Sequence, residues 1–141
     1  MRVILGWVAL AVLLGACSGK APPESTTSTP AVASPGVPPA CLAYSQGVEA
    51  TALAFQLLLA MGARDTALTD SLSRRVLAAG TALQDNTAAG GRLSNVASQL
   101  TLGAGYAQQG ETAKATESFQ AASAGMEQAR QELAAGGVSC R

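Results

Sequence analysis

The sequence contains no histidine, which removes the commonest general base and the commonest metal ligand of proteins. Aromatic residues are scarce as well, with one Trp, two Tyr and two Phe among 141 residues. Charged residues make up 13% of the chain and balance at nine basic against nine acidic. A nucleic-acid-binding surface needs clustered basic residues with aromatics among them. We therefore expect no nucleic-acid partner, no metal or other cofactor, and no enzymatic activity.

Proline is absent after residue 39, and all six prolines lie in the segment SGKAPPESTTSTPAVASPGVPPA, residues 18–40. This segment is otherwise Ser, Thr and Ala with two charges, so it cannot bury enough apolar area to offset its ordering entropy. Residues 17–40 are predicted to form a disordered, partly extended linker. A Pro-rich recognition motif is the alternative, but the segment has no clear PxxP with a flanking Arg.

A long apolar run is also missing. The run from Val3 to Leu14 follows the single positive charge of Arg2, and it is shorter than the roughly 20 residues of a transmembrane helix. The polar sequence SGKAPPESTT comes directly after Cys17, so the run cannot be extended into a span. Residues 1–16 are therefore predicted to be a secretory signal peptide with small residues before its cleavage point.

Leu14-Gly15-Ala16-Cys17 resembles the lipobox of bacterial lipoproteins. The resemblance implies that the thiol of Cys17 receives a diacylglyceryl group and that cleavage leaves Cys17 as the lipidated N-terminus. Two or three acyl chains, at about 0.8 kcal/mol per buried methylene, would hold the protein stably on a membrane. Ser18 stands where an inner-membrane retention signal has Asp, which implies the outer membrane in a Gram-negative host and otherwise the cell membrane. The alternative is an ordinary secreted protein with a chance cysteine near its cleavage site.

Residues 41–141 are predicted to form four amphipathic helices, because apolar residues recur there at spacings of three and four. The first helix runs from about Leu42 to Met61, and its stripe, widened by Leu53 and Leu57, is Val48, Ala52, Phe55 and Leu59. The second helix follows an N-cap at Asp65 or Thr66, and a loop from Asn86 to Gly91 ends it. The other three stripes are Leu68, Leu72, Val76, Ala79 and Leu83; Leu93, Val96, Leu100, Gly103 and Ala107; and Ala115, Phe119, Ala122, Met126, Ala129 and Leu133. Such a pattern is typical of an all-α, up-and-down four-helix bundle, and the many Ala and Gly positions favour close helix approach.

Cys41 and Cys140 bracket these four helices. Thiols of exported proteins usually pair, and a disulfide needs Cα atoms about 4.4–6.8 Å apart. An even number of antiparallel helices brings the two chain ends to the same pole, so four helices and a Cys41–Cys140 disulfide are mutually consistent. Two free thiols or one catalytic thiol are the alternatives.

One helical hairpin resembles a tetratricopeptide repeat, within residues 96–129. The stretch LGAGYAQQGETAKATESFQAA matches the repeat at Leu102, Gly103, Tyr106, Gly110, Ala115, Phe119 and Ala122. The resemblance implies two antiparallel helices in which Gly and Ala permit close approach while Tyr and Phe fill the space between them. Gln99 and Glu127 stand where the repeat has Trp and Pro, and no second copy lies 34 residues upstream. Since about three repeats are needed to bury a face, a complete array does not fit in this domain.

Two functions are compatible with this sequence. The first is a lipid-anchored, non-catalytic interaction or accessory module at the cell envelope, with an envelope protein as partner and the tetratricopeptide-like hairpin as contact surface. The second is a carrier that holds a small molecule or lipid between its helices. In a carrier, Phe55, Leu57, Leu58 and Leu59 of FQLLLAM would line the cavity; otherwise this run marks the most buried helix. Glu127 with Arg130, and Asp70 with Arg74, are predicted to be surface ion pairs.

Overall fold

The computed structural model describes residues 36–140, which form an up-and-down bundle of four helices without a strand. The helices are α1 (Pro39–Gly62), α2 (Thr66–Asp85), α3 (Gly90–Gln108) and α4 (Thr112–Ala135). Each helix packs on the next, α1 also contacts α3 and α4, and no Cα atoms of α2 and α4 come within 8 Å of each other. The predicted all-α four-helix fold is confirmed. Each of these helices is too short or too polar to cross a membrane.

Three helix boundaries show how local chemistry places the turns. α1 begins at Pro39, inside the predicted linker and two residues before the predicted domain boundary, because proline suits the first helical turn. Asp65 caps α2 as predicted, its carboxylate accepting from the Leu68 N–H at 2.9 Å. The predicted loop 86–91 is too long, since a 3₁₀ turn at Thr87–Ala89 leads directly into α3 at Gly90. The Asn86 side chain accepts from the Ala88 N–H at 3.0 Å and so organises this turn.

The disulfide between Cys41 and Cys140 is present and joins the start of α1 to the segment after α4. The two Cα atoms are 5.2 Å apart although 99 residues separate them in the chain. This confirms that the even number of helices returns both chain ends to one pole of the bundle.

The predicted core stripes of α3 and α4 are correct. All five α3 positions are buried, and so are the α4 positions except Leu133, which is half-buried. Phe119 is 1% exposed and is the largest fully buried side chain of the described residues. It packs so closely on α3 that a Cβ atom at Gly103 would overlap its ring. In α2, Leu72, Val76 and Leu83 are buried, Ala79 is partly buried, and Leu68 is exposed.

The predicted core stripe of α1 is wrong at its four main positions, although Leu57 and Leu53, which are predicted to widen it, are buried and partly buried against the core. Val48, Ala52, Phe55 and Leu59 all lie on the exposed side of this helix. The core is built instead from the small residues on the opposite side, together with Leu57: these are Ala43, Gly47, Ala50, Ala54 and Ala60.

Close helix approach explains this choice of side. A Cβ atom at Gly47 would lie 2.7 Å from the sulfur of Met126, so the α1 backbone sits directly against an α4 side chain. Phe55 and Leu59 in that position would hold the helices apart and leave the neighbouring small residues without contacts. The bulky stripe therefore faces outward.

Candidate interaction surfaces

The outward stripe of α1 is the largest departure from an ordinary bundle surface. Val48, Phe55 and Leu59 are 47%, 48% and 75% exposed, and Ala52 lies between them. The four residues follow one another at spacings of four, three and four, which places them on one side of the helix. We call Val48, Ala52, Phe55 and Leu59 the α1 face.

Charge is almost missing from α1. Glu49 is the one charged residue in its 24 positions, and it lies about 100° around the helix from Val48. The solvent-facing side of a surface helix normally carries charged and polar residues. The α1 face is therefore the part of the described surface whose composition most favours contact with another molecule.

The outward sides of α2 and α4 are ordinary by comparison. The predicted pairs Arg74–Asp70 and Arg130–Glu127 are both formed, and Lys114 pairs with Glu111. All of these side chains are at least about one-third exposed, so they keep the two helices hydrated and contribute little to stability.

Glu127 on α4 has the most strongly shifted carboxyl group. The Arg130 guanidinium donates to it from Nε at 2.9 Å and from Nη2 at 2.7 Å, and Gln131 donates at 3.0 Å. These hydrogen bonds, those of Arg130 first, lower the pKa of Glu127 from 4.5 to about 2. Because the folded-state pKa is the lower one, the stabilising effect is complete above pH 4.5 and is lost as the pH falls through about 2.

We expect an NMR titration of the Glu127 carboxyl carbon to give a midpoint near pH 2, and Arg130→Gln to raise this midpoint towards 4.5. Arg74→Gln on α2 is the matched control, since it removes an exposed guanidinium that does not contact Glu127. A Glu127 midpoint near 4.5 in the unmodified protein would show that the Arg130 contact is not kept in solution.

A shallow groove follows the outer side of the α3/α4 hairpin, where the tetratricopeptide-like match lies. Two adjoining hollows of about 400 and 430 Å³ share Gln99 and Ala121. Their linings are mainly amides, hydroxyls and small residues, with Leu102 as the exposed apolar residue. At one end the Lys114 ammonium lies 5.3 Å from the centre of the Tyr106 ring. This groove is therefore more polar than the α1 face.

A cleft of about 390 Å³ lies at the pole away from the disulfide, between the α1–α2 and α3–α4 turns. Met61 and Ala107 form part of its apolar lining, and Arg64, Thr69 and Gln108 supply polar groups. Arg64 adopts a left-handed backbone conformation, with φ of 57°.

The FQLLLAM run does not line a common cavity. Leu57 is fully buried, whereas Phe55 and Leu59 are on the opposite side of α1 and Leu58 is half-buried between them. The prediction that Phe55, Leu57, Leu58 and Leu59 line one cavity is therefore wrong. The alternative, that the run marks the most buried helix, concerns α1 as a whole, which has eight buried residues against five to seven in the other three helices.

Two buried hydroxyl groups in residues 36–140 are paired within their own helices. The hydroxyls of Thr51 and Ser73 donate to the carbonyls of Gly47 and Thr69, each at 2.8 Å. No buried side-chain nitrogen or oxygen of this part lacks a partner, and no three Cys, Asp or Glu residues of it meet in a metal-binding cluster. Both hydroxyls therefore donate to carbonyls of the preceding turn of their own helix.

The predicted signal peptide (1–16), the lipidation site Cys17 and the linker up to residue 35 lie outside the described residues. No protein-family model matches this chain, and neither the curated proteins nor the solved structures contain a significant match to it. Reasoning from periodicity missed the α1 face. α3 also has a single charged residue, Arg92, so the signal that could have identified the face is the combination in α1 of one charge with many bulky apolar residues.

Proposed function

We propose that this chain is an exported, lipid-anchored protein whose helical domain is a non-catalytic interaction module at the cell envelope. The exposed, uncharged α1 face carries this proposal, because soluble monomers rarely keep such a stripe uncovered. The lipobox-like sequence ending at Cys17 supports the anchor, and the Cys41–Cys140 disulfide suits an oxidising compartment outside the cytoplasm.

The proposed architecture separates attachment from contact. The lipid on Cys17 would anchor the protein in the membrane, and residues 18–38 would connect this anchor to the bundle. As a flexible coil these 21 residues would average about 25 Å from end to end. The bundle would then present α1 to an envelope partner near the membrane surface.

A carrier function is the second candidate, and the cleft at the pole away from the disulfide is the observation that favours it. Its volume of about 390 Å³ is within the range of small-molecule sites. A ligand there would contact Met61, the last residue of FQLLLAM, and Ala107. It would not contact Phe55, Leu57, Leu58 or Leu59, the residues predicted to line a carrier cavity.

Mass spectrometry of the protein extracted from its own membrane tests the anchor. We expect a mature chain that starts at Cys17 and carries the mass of two or three acyl chains. Cys17→Ser should abolish that added mass and move the protein out of the membrane fraction. A chain of unmodified mass in the wild-type protein would contradict the lipid anchor, while a retained small molecule would favour the carrier.

A further inference from the structure

The α1 face has a spacing that is the same when read in either direction. Val48, Ala52, Phe55 and Leu59 are separated by four, three and four residues, so the stripe is symmetric about the point between Leu53 and Ala54. When two such stripes meet in antiparallel orientation, each residue of one shares a layer with a residue of the other. In this register Val48 meets Leu59 of the second copy, and Ala52 meets Phe55.

We infer that the α1 face is a contact surface for a second copy of this chain, with the two α1 helices packed antiparallel about a twofold axis between Leu53 and Ala54. This inference deepens the proposed interaction role, because it identifies the partner of the same face. It rests on three properties: the sizes of the side chains, the distribution of charge, and the area that pairing covers.

Side-chain sizes are complementary in this register. Phe55, the largest residue of the face, meets Ala52, the smallest, in both symmetry-related layers. Val48 meets Leu59, which is 75% exposed and has the most apolar area to gain from being covered. Parallel pairing would instead place Phe55 against Phe55 and Ala52 against Ala52, which alternates a crowded layer with an empty one.

Charge also permits self-pairing. Glu49 is the one charged residue of α1, and it lies at the edge of the α1 face. In the antiparallel register the two Glu49 residues are nine positions apart along the axis, or about 13 Å. That exceeds the Debye length of about 8 Å at physiological salt, so their repulsion is largely screened. The outer sides of α2 and α4 carry ion pairs and so offer no comparable uncharged surface.

The covered area predicts a weak dimer. α1 has 24 residues and is therefore about 36 Å long. A helix face about 10 Å wide then covers about 360 Å² on each copy, or about 700 Å² in total, below the roughly 1,200 Å² of stable complexes. Confinement on a membrane raises the effective concentration, so the dimer should be populated there and dissociate on dilution.

Photo-crosslinking of the full chain in the cells that produce it tests this inference. A benzophenone amino acid at the exposed Gln56, beside the α1 face, leaves the four apolar residues unchanged. We expect a crosslinked dimer whose linkage maps to residues 49–56 of the second copy. The same amino acid at the exposed Gln120 of α4 is the matched control and should give at least about tenfold less dimer.

Charged substitutions test the register. Leu59→Glu and Val48→Lys should each reduce the Gln56 crosslink about tenfold or more, because burying one Leu or Val contributes at least the roughly 1.4 kcal/mol of a tenfold change. Leu102→Glu on α3 should leave it unchanged. Producing the two charged variants together should restore a mixed dimer, since the introduced ammonium then meets the introduced carboxylate and the other layer stays apolar. A thermal melt checks that each variant remains folded.

Each result decides between the possibilities. A crosslink to a different protein would contradict self-association but would support the proposed interaction role of the α1 face. Crosslinks to lipid alone, or no crosslink at all, would contradict both self-association and the interaction role of this face. A dimer that persists in Leu59→Glu, or that the mixed variants fail to restore, would overturn the antiparallel register.

Discussion

Replacement of both Cys41 and Cys140 by serine is expected to lower the free energy of unfolding by up to about 4.7 kcal/mol, the chain-entropy value for a loop of about 100 residues. The bond closes a loop of 99 residues, and the entropy that a disulfide removes from the unfolded chain increases with loop length. Its removal should therefore increase the conformational entropy of the unfolded chain substantially. The core makes this loss serious, because it consists mostly of Ala and Gly and contains one buried aromatic residue, Phe119. Chemical denaturation followed by circular dichroism, with and without reductant, measures the effect.

Cys17→Ser is the control for this experiment, since it removes the third thiol without opening the disulfide. Its unfolding midpoint should equal that of the wild-type protein. The double-serine variant should resemble the reduced wild-type chain. If reduction leaves the midpoint unchanged, the bundle is held by its packing alone and the disulfide is incidental to its stability.

The contact between Gly103 and Phe119 predicts the second large effect. Phe119→Ala should cost about 3–5 kcal/mol, the usual range for a buried Phe. Gly103→Ala should cost about 1–3 kcal/mol, because its new methyl group overlaps the ring of Phe119, a side chain that is only 1% exposed. This loss outweighs the gain of up to about 1 kcal/mol that alanine otherwise brings to a helix.

The effects of these two substitutions on the free energy of unfolding should not be additive. With Phe119→Ala in place, the methyl group that Gly103→Ala introduces enters the vacated space, so this substitution should become stabilising in that background. Gly105→Ala is the control on the same helix: no atom lies within 4 Å of its added Cβ, and the alanine gain should appear in full. Similar losses for Gly103→Ala in both backgrounds would mean that the ring contact is absent in solution.

The sequence predicted the helices of this bundle well wherever polar and apolar residues separate. In α4, Glu117 and Glu127 mark the outer side, so Phe119 and Met126 could be assigned to the core. The disulfide followed from topology, because four helices of similar length must return the ends to one pole. Pro39 shows the limit at boundaries, since a proline suits both a linker and the first turn of a helix.

The orientation of α1 could not be predicted in the same way. Bulky apolar residues occupy one side of this helix and small ones the other, and hydrophobicity alone favours burying the bulky side. The outcome depends on how close α1 comes to Met126 and to its other neighbours, a property of the partners that the α1 sequence does not contain. Periodicity therefore could not identify the candidate contact surface. The composition of α1, with Glu49 as its single charged residue, could be read from the sequence.

The covalent bond between the two ends of the bundle also changes its topology. Residues 41–140 form a closed ring through the backbone and the disulfide. A protease that cuts one interhelical turn, such as the Arg64 or Asn86 turn, opens this ring without dividing the chain. The part of the chain after the cut stays joined to the part before it through the Cys41–Cys140 bond. The whole domain therefore remains covalently connected to the segment that leads to Cys17.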